Sequence, residues 1–130
     1  MTSYRTPLGR ARGLGSAKHG VGHFIAQRVS AVALVVLVLW GVDSALGLAR
    51  ADYATAAQWL RSPWNATPMA LVVAVGAFHM QLGMRTIIED YFAKPLTKQA
   101  LALFSLLVCW LVAVVGVLSI LKVAFSGGAY

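Results

Sequence analysis

The sequence predicts an all-α integral membrane protein with three transmembrane helices. Composition points there first. Of the 130 residues, 59% are hydrophobic and only 12% are charged, with a mean hydropathy of +0.74, whereas a soluble domain carries about 25% charged residues. Segmentation is the second observation. Apolar runs near residues 29–48, 68–88 and 100–125 each supply the roughly 20 residues needed to cross about 30 Å of hydrocarbon at about 1.5 Å per residue. Strand-type alternation is missing from these runs, and a barrel needs about eight strands or more. Lipid offers no water to satisfy backbone N–H and C=O groups, so the spans must be helical.

Taken in order, residues 1–22 form a basic arm in which Gly, Arg and Ser dominate, with Pro7 and a run of glycines from Gly9 to Gly22. Such a composition buries no core of its own, so the arm is expected to be flexible or laid against a partner. Residues 23–130 make up the anchor domain, with the segment from Gly22 to Arg28 leading along the interface into the first span. Between the first and second spans, Asp52 is placed to cap a short helix, Tyr53–Leu60, with Pro63 ending further winding. Trp59 and Trp64 suit an outer interfacial belt. Pro95 breaks the chain before the third span, leaving residues 89–99 as the connection.

The net charge of +7 is distributed as a topology signal rather than as a nucleic-acid footprint. Arg5, Arg10, Arg12, Lys18 and Arg28 all precede or open the first span. The connection 49–67 holds only Arg50 and Arg61, while the short second connection holds Lys94 and Lys98 beside Arg85. The positive-inside rule therefore predicts the N-terminus inside and the C-terminus outside, with the basic excess attracted to anionic headgroups. A cleavable signal is disfavoured despite Ala49-Arg-Ala51, because the basic region is too extended and the apolar run too long. The single Cys109 lies within the third span, so the sequence holds no disulfide framework.

The second span carries the chemistry. At about 100° per residue, Gly76, His79, Gly83, Thr86 and Asp90 fall along one stripe of small or polar residues. An ionisable ring at membrane depth is costly unless paired or ligating, so His79 is a candidate functional residue. Two readings stay open on these residues alone. Gly and Thr permit a tight helix–helix contact, with His79 bonding across it. Alternatively, the imidazole is an axial ligand to haem iron, with Gly76 and Gly83 leaving room for a flat macrocycle. His19 and His23 lie near the inner surface, so a second ligand would have to come from another chain.

Around this stripe, Arg85 either snorkels or pairs with Glu89 at i+4. Arg28 either snorkels or faces the pocket, and Tyr91 suits an interfacial belt as well as a binding role. Cys109 and Trp110 read as packing residues, and Asn65-Ala-Thr67 only formally matches a glycosylation sequon.

The pattern His79-x3-Gly83-x6-Asp90-Tyr91 resembles the second helix of the small hydrophobic membrane-anchor subunit of succinate dehydrogenase. The segment from Gly20 to Leu34, with Arg28-Val-Ser30 at the membrane boundary, resembles that family's approach into helix one. The resemblance implies a protein that packs with a second anchor subunit in one helical bundle. Together the two anchors hold the iron–sulfur subunit, and through it the flavoprotein subunit, on the inner face. It implies haem b bound between the anchors and ubiquinone reduced near that face. Carried over by position, His79 is one axial ligand, Tyr91 bonds a quinone carbonyl, Asp90 supports the quinone pocket, and Arg28, with His23, meets haem propionates or the pocket rim. Gly22 departs from relatives that place a histidine there, which shifts weight onto Arg28 and His23. The family includes fumarate-reducing members, so the reaction direction is part of what is implied.

Position supports this. The charge count puts Arg28, Asp90 and Tyr91 at the same inner boundary, with His79 about 18 Å deeper along the helix axis. A bacterial cytoplasmic membrane is the expected location, ahead of the mitochondrial inner membrane. The alternatives are a haem-free scaffold of the same assembly or a small oligomeric transporter or pore. A pore is disfavoured because the first and third spans offer almost no polar residue at mid-membrane.

Overall fold

The computed structural model describes residues 4, 6–13 and 20–126, and those residues are helical apart from short connections. Thr6 caps a short helix α1, Pro7–Ala11, by accepting a hydrogen bond from Gly9 N at 3.1 Å. The long helices are α2 (Gly20–Leu48), α4 (Pro63–Tyr91) and α5 (Pro95–Phe125), with the short α3 (Tyr53–Leu60) between α2 and α4. The basic arm 1–22 lies in part outside the described residues, His19 among them.

All three long helices have the length and apolar character of membrane spans, but each starts well before the apolar run it contains. With 29, 29 and 31 residues, they extend about 43–47 Å at about 1.5 Å per residue, against about 30 Å of hydrocarbon. Hydropathy marks only the stretch that lipid tails must solvate. The helical hydrogen bonds run on through the headgroup layer, where polar residues are tolerated. Residues 22–28, assigned from the sequence to an interfacial lead-in, therefore lie in the first turns of α2, which begins at Gly20.

The prolines open helices more than they end them. Pro7, Pro63 and Pro95 each stand at the first helical position, where the missing N–H would have had no intrahelical partner and the fixed φ is already helical. The sequence expectations of a stop at Pro63 and of a connection over 89–99 are corrected accordingly. α3 ends at Leu60, Arg61 and Ser62 form the corner, and only Phe92, Ala93 and Lys94 separate α4 from α5. Pro68, expected to open the second span, sits inside α4 and removes the bond that the Trp64 carbonyl would receive from position i+4.

The short helix appears as expected. The Asp52 carboxylate accepts from Thr55 N at 2.9 Å, satisfying one of the orphan donors of α3. Trp59 is not merely a belt residue: its ring stacks on Trp40 of α2 with centroids 5.9 Å apart and planes 21° from parallel. Asn65, in the first turn of α4, donates its side-chain amide to the Trp59 carbonyl at 2.9 Å, while Trp64 is exposed. The connection after α2 is thus pinned to two of the spans.

α4 is the central helix. It packs along α5 most extensively and along α2 less so, while α2 and α5 share no substantial contact. Its position shows in the burial pattern, since Ala66, Ala77, Leu82 and Ile88 of α4 are enclosed, along with Cys109 of α5 and Ser30 of α2. Neighbouring spans run antiparallel: Val73, early in α4, meets Gly116, late in α5, and Ser30, early in α2, meets His79, late in α4. Gly116 lets the two backbones approach, because a β-carbon there would stand 2.7 Å from Val73 Cγ1. Trp110 departs from its expected packing role, being largely exposed, whereas Cys109 is buried.

Candidate functional site

Ser30 is the enclosed polar residue of the described chain, 5% exposed, and it lies where α2 crosses His79. Its Oγ is 2.8 Å from His79 Nδ1 and also donates to the Gln27 carbonyl at 3.1 Å, one turn back on its own helix. Serine in a helix commonly bonds backward in this way, because its hydroxyl reaches the carbonyl of the preceding turn. The other ring nitrogen, His79 Nε2, faces the side-chain amide nitrogen of Gln27 at 3.5 Å. His79 is thereby held across the α2–α4 interface through one nitrogen, with only a loose contact at the second.

The face of α2 that meets His79 is built at helical spacing. His23, Gln27 and Ser30 fall at i, i+4 and i+7, so they share one side. Opposite them runs the stripe His79, Gly83, Thr86 on α4. Gly83 leaves the room that the Gln27 amide uses: a β-carbon there would lie 3.7 Å from Gln27 Nε2. Gly76 differs, since no atom of another helix comes within 4 Å of its β position. Of the two glycines flanking His79, one accommodates α2 and the other is open. Thr86 turns its hydroxyl back to the Leu82 carbonyl at 3.2 Å.

Two buried polar atoms on this face lack a hydrogen-bond partner among the described residues, His23 Nε2 and Gln27 Oε1. Buried polar groups are otherwise almost always paired, so this seam is short of partners along the side that leads from the helix ends toward His79.

The remaining sequence-predicted residues are not gathered around the imidazole. Arg28 is exposed, one position round the helix from Gln27, with its guanidinium 5.1 Å from the centroid of the Phe24 ring. Asp90 and Tyr91 close α4 at the end shared with the start of α2 and are exposed, Tyr91 by 80%. Arg85 and Glu89 make the expected i,i+4 ion pair at 2.7 Å. Lys98 Nζ donates to the Glu89 carbonyl at 2.7 Å, tying the start of α5 to the end of α4. No cluster of three or more His, Cys, Asp or Glu suited to a metal ion occurs among the described residues.

Gln27 and Ser30 carry no role in the sequence-based expectations, although Ser30 stands in the Arg28-Val-Ser30 motif. The signal that finds them is the polar spacing His23, Gln27, Ser30 on an otherwise apolar helix. Gly116 escapes notice for a different reason: a glycine in an apolar span shows its purpose only when the side chain opposite it is known.

Residues 2–119 match the family described as succinate dehydrogenase/fumarate reductase transmembrane subunit. A succinate dehydrogenase hydrophobic membrane anchor subunit from Paracoccus denitrificans is 37% identical over 126 residues, covering 95% of each chain. One from Rickettsia bellii (strain RML369-C) is 33% identical over 117 residues, covering 85% of this chain and 94% of the relative. A third, from Rickettsia conorii (strain ATCC VR-613 / Malish 7), is 29% identical over 107 residues, covering 82% and 85%.

Proposed function

From the premise that this chain belongs to the succinate dehydrogenase/fumarate reductase transmembrane subunit family, we propose that it binds haem b jointly with a second anchor protein and helps to form the ubiquinone-reducing site. The coarser role follows from membership: the chain is a membrane anchor subunit of an oxidoreductase complex.

The observation that carries the finer reading is the state of His79. A haem ligand needs one imidazole nitrogen free and the other oriented by a hydrogen bond. Ser30 engages Nδ1, and Nε2 has only the loose contact to Gln27. The residues fit the group in three further ways. Gly76 is open toward the outside of this chain, His23 Nε2 is a buried nitrogen without a partner among the described residues, and the Gln27 side chain is flexible enough to yield its place. His79 Nε2 would hold the iron, and His23, with Arg28 nearby on α2, would meet its acidic edge. Haem supplies one-electron storage between the soluble donors and the quinone.

This chain's other residues do the positioning. Tyr91, exposed at the end of α4, offers a phenol O–H that donates to a quinone carbonyl and can pass a proton as reduction proceeds. Asp90 stands beside it, able to orient that hydroxyl or relay the proton. The basic residues near this end put it on the inner, cytoplasmic side of a bacterial membrane, where the iron–sulfur subunit would dock, with the flavoprotein beyond it. The second axial ligand would come from the partner anchor, since His23, the other described histidine, stands about 10 Å before Ser30 along α2.

The test is an absorbance spectrum of the complex co-purified through a tag on this chain, recorded before and after succinate. A b-type band that grows with succinate and is lost in His79→Ala supports the reading. The interhelical bond between Ser30 and His79 also favours a second reading, a haem-free scaffold in which His79 only ties α2 to α4. Partners present without a haem band would establish that reading instead.

A further inference from the structure

We propose that Ser30 is the positioning residue of His79, holding the imidazole in the Nδ1–H tautomer so that Nε2 presents its lone pair for ligation. This rests on the ligation reading above and adds a role for a residue with no chemistry of its own.

Proton counting leads to it. The Ser30 hydroxyl has one hydrogen, and it is directed to the Gln27 carbonyl at 3.1 Å. With its hydrogen so used, the oxygen accepts from an Nδ1–H of His79, 2.8 Å away. A neutral imidazole has one N–H, which leaves Nε2 bare. On the other side of the ring the Gln27 side-chain amide faces Nε2 at 3.5 Å, and with its nitrogen turned to the ring it is a donor that a bare Nε2 accepts.

Burial makes the arrangement selective. Ser30 is 5% exposed, so its hydroxyl is kept for contacts within the chain. Gln27 also shows which group gives way on ligation. Its contact to Nε2 is long and its Oε1 is unpaired among the described residues, so little anchors the amide, whereas Ser30 is fixed at both of its contacts. A hydrogen bond accepted from Nδ1–H makes the ligating nitrogen more basic and favours the oxidised iron.

The experiment compares complexes carrying the native chain, Ser30→Ala, Ser30→Thr and His79→Ala, with haem content, haem dissociation and midpoint potential as readouts. The expected result for Ser30→Ala is haem affinity lowered by about ten- to a hundredfold and a midpoint moved to more positive potential, with Ser30→Thr restoring both through its hydroxyl. Native affinity and midpoint in Ser30→Ala would overturn the proposal. Nitrogen-15 spectra of the histidine-labelled complex from haem-depleted cells read the His79 tautomer directly, independent of any variant's assembly. An Nδ1–H signature supports the role of Ser30, and an Nε2–H signature overturns it. A native complex without any haem band overturns the ligation reading, and the tautomer measurement separates that outcome from failure of the Ser30 contact.

Discussion

Val73 Cγ1 occupies the space that a side chain on Gly116 would need, 2.7 Å from the position of its β-carbon. The packing of α4 on α5 at this point therefore depends on a residue without a side chain meeting a β-branched one that has little rotamer freedom to withdraw. Gly116→Ala is expected to destabilise the α4–α5 pair by about 1–3 kcal/mol, the usual cost of overpacking. Val73→Ala in the same chain should recover much of that loss. Thermal unfolding of the detergent-solubilised complex, arranged as a double-mutant cycle, measures the coupling, and additive effects would mean that the two residues do not oppose each other.

Gly76 is the contrasting case. Nothing in this chain lies within 4 Å of its β position, so Gly76→Leu should leave the α2–α4 contact intact. If a second anchor protein packs beside His79, the added side chain should reduce its recovery with the tagged chain. Undiminished co-purification and haem content would assign that face to lipid.

Acid should loosen the corner after α2. Hydrogen bonds from the Thr55 hydroxyl and backbone N–H hold the Asp52 carboxyl below its ordinary value of 3.8. A lowered carboxyl pKa contributes stability that is fully present above 3.8 and is lost as pH falls through the lower folded value. Tryptophan fluorescence, which senses the Trp40–Trp59 stack, should therefore change only below about that pH. Asp52→Asn keeps a capping side chain that does not titrate and should remove this transition.

The Arg85–Glu89 pair is a surface feature. Its side chains are 56% and 51% exposed, and exposed i,i+4 pairs contribute about 0.3–0.5 kcal/mol. Glu89→Gln should change stability by no more than that, because the Lys98 bond goes to the Glu89 backbone carbonyl and survives. A larger loss in thermal unfolding of the complex would mean that Glu89 meets a partner.

The class of fold, the three spans, the capped helix Tyr53–Leu60 and the stripe containing His79 were all legible in the residue order, because they depend on local propensity, on hydropathy and on the cost of bare backbone in lipid. The resemblance carried by His79, Gly83, Asp90 and Tyr91 pointed to the family that similarity along the whole chain then established, which sets aside the oligomeric pore. Helix ends were not legible in the same way, because hydropathy reports where lipid tails lie, while helical hydrogen bonds continue past them through the headgroups. It took the packed molecule to show that α4 lies between α2 and α5, that Gly116 rather than Gly76 is the tight contact within this chain, and that Ser30 and Gln27 take opposite sides of the His79 ring. The two His79 contacts join side chains 49 and 52 positions apart, and periodicity within one helix carries no information about what stands across from it.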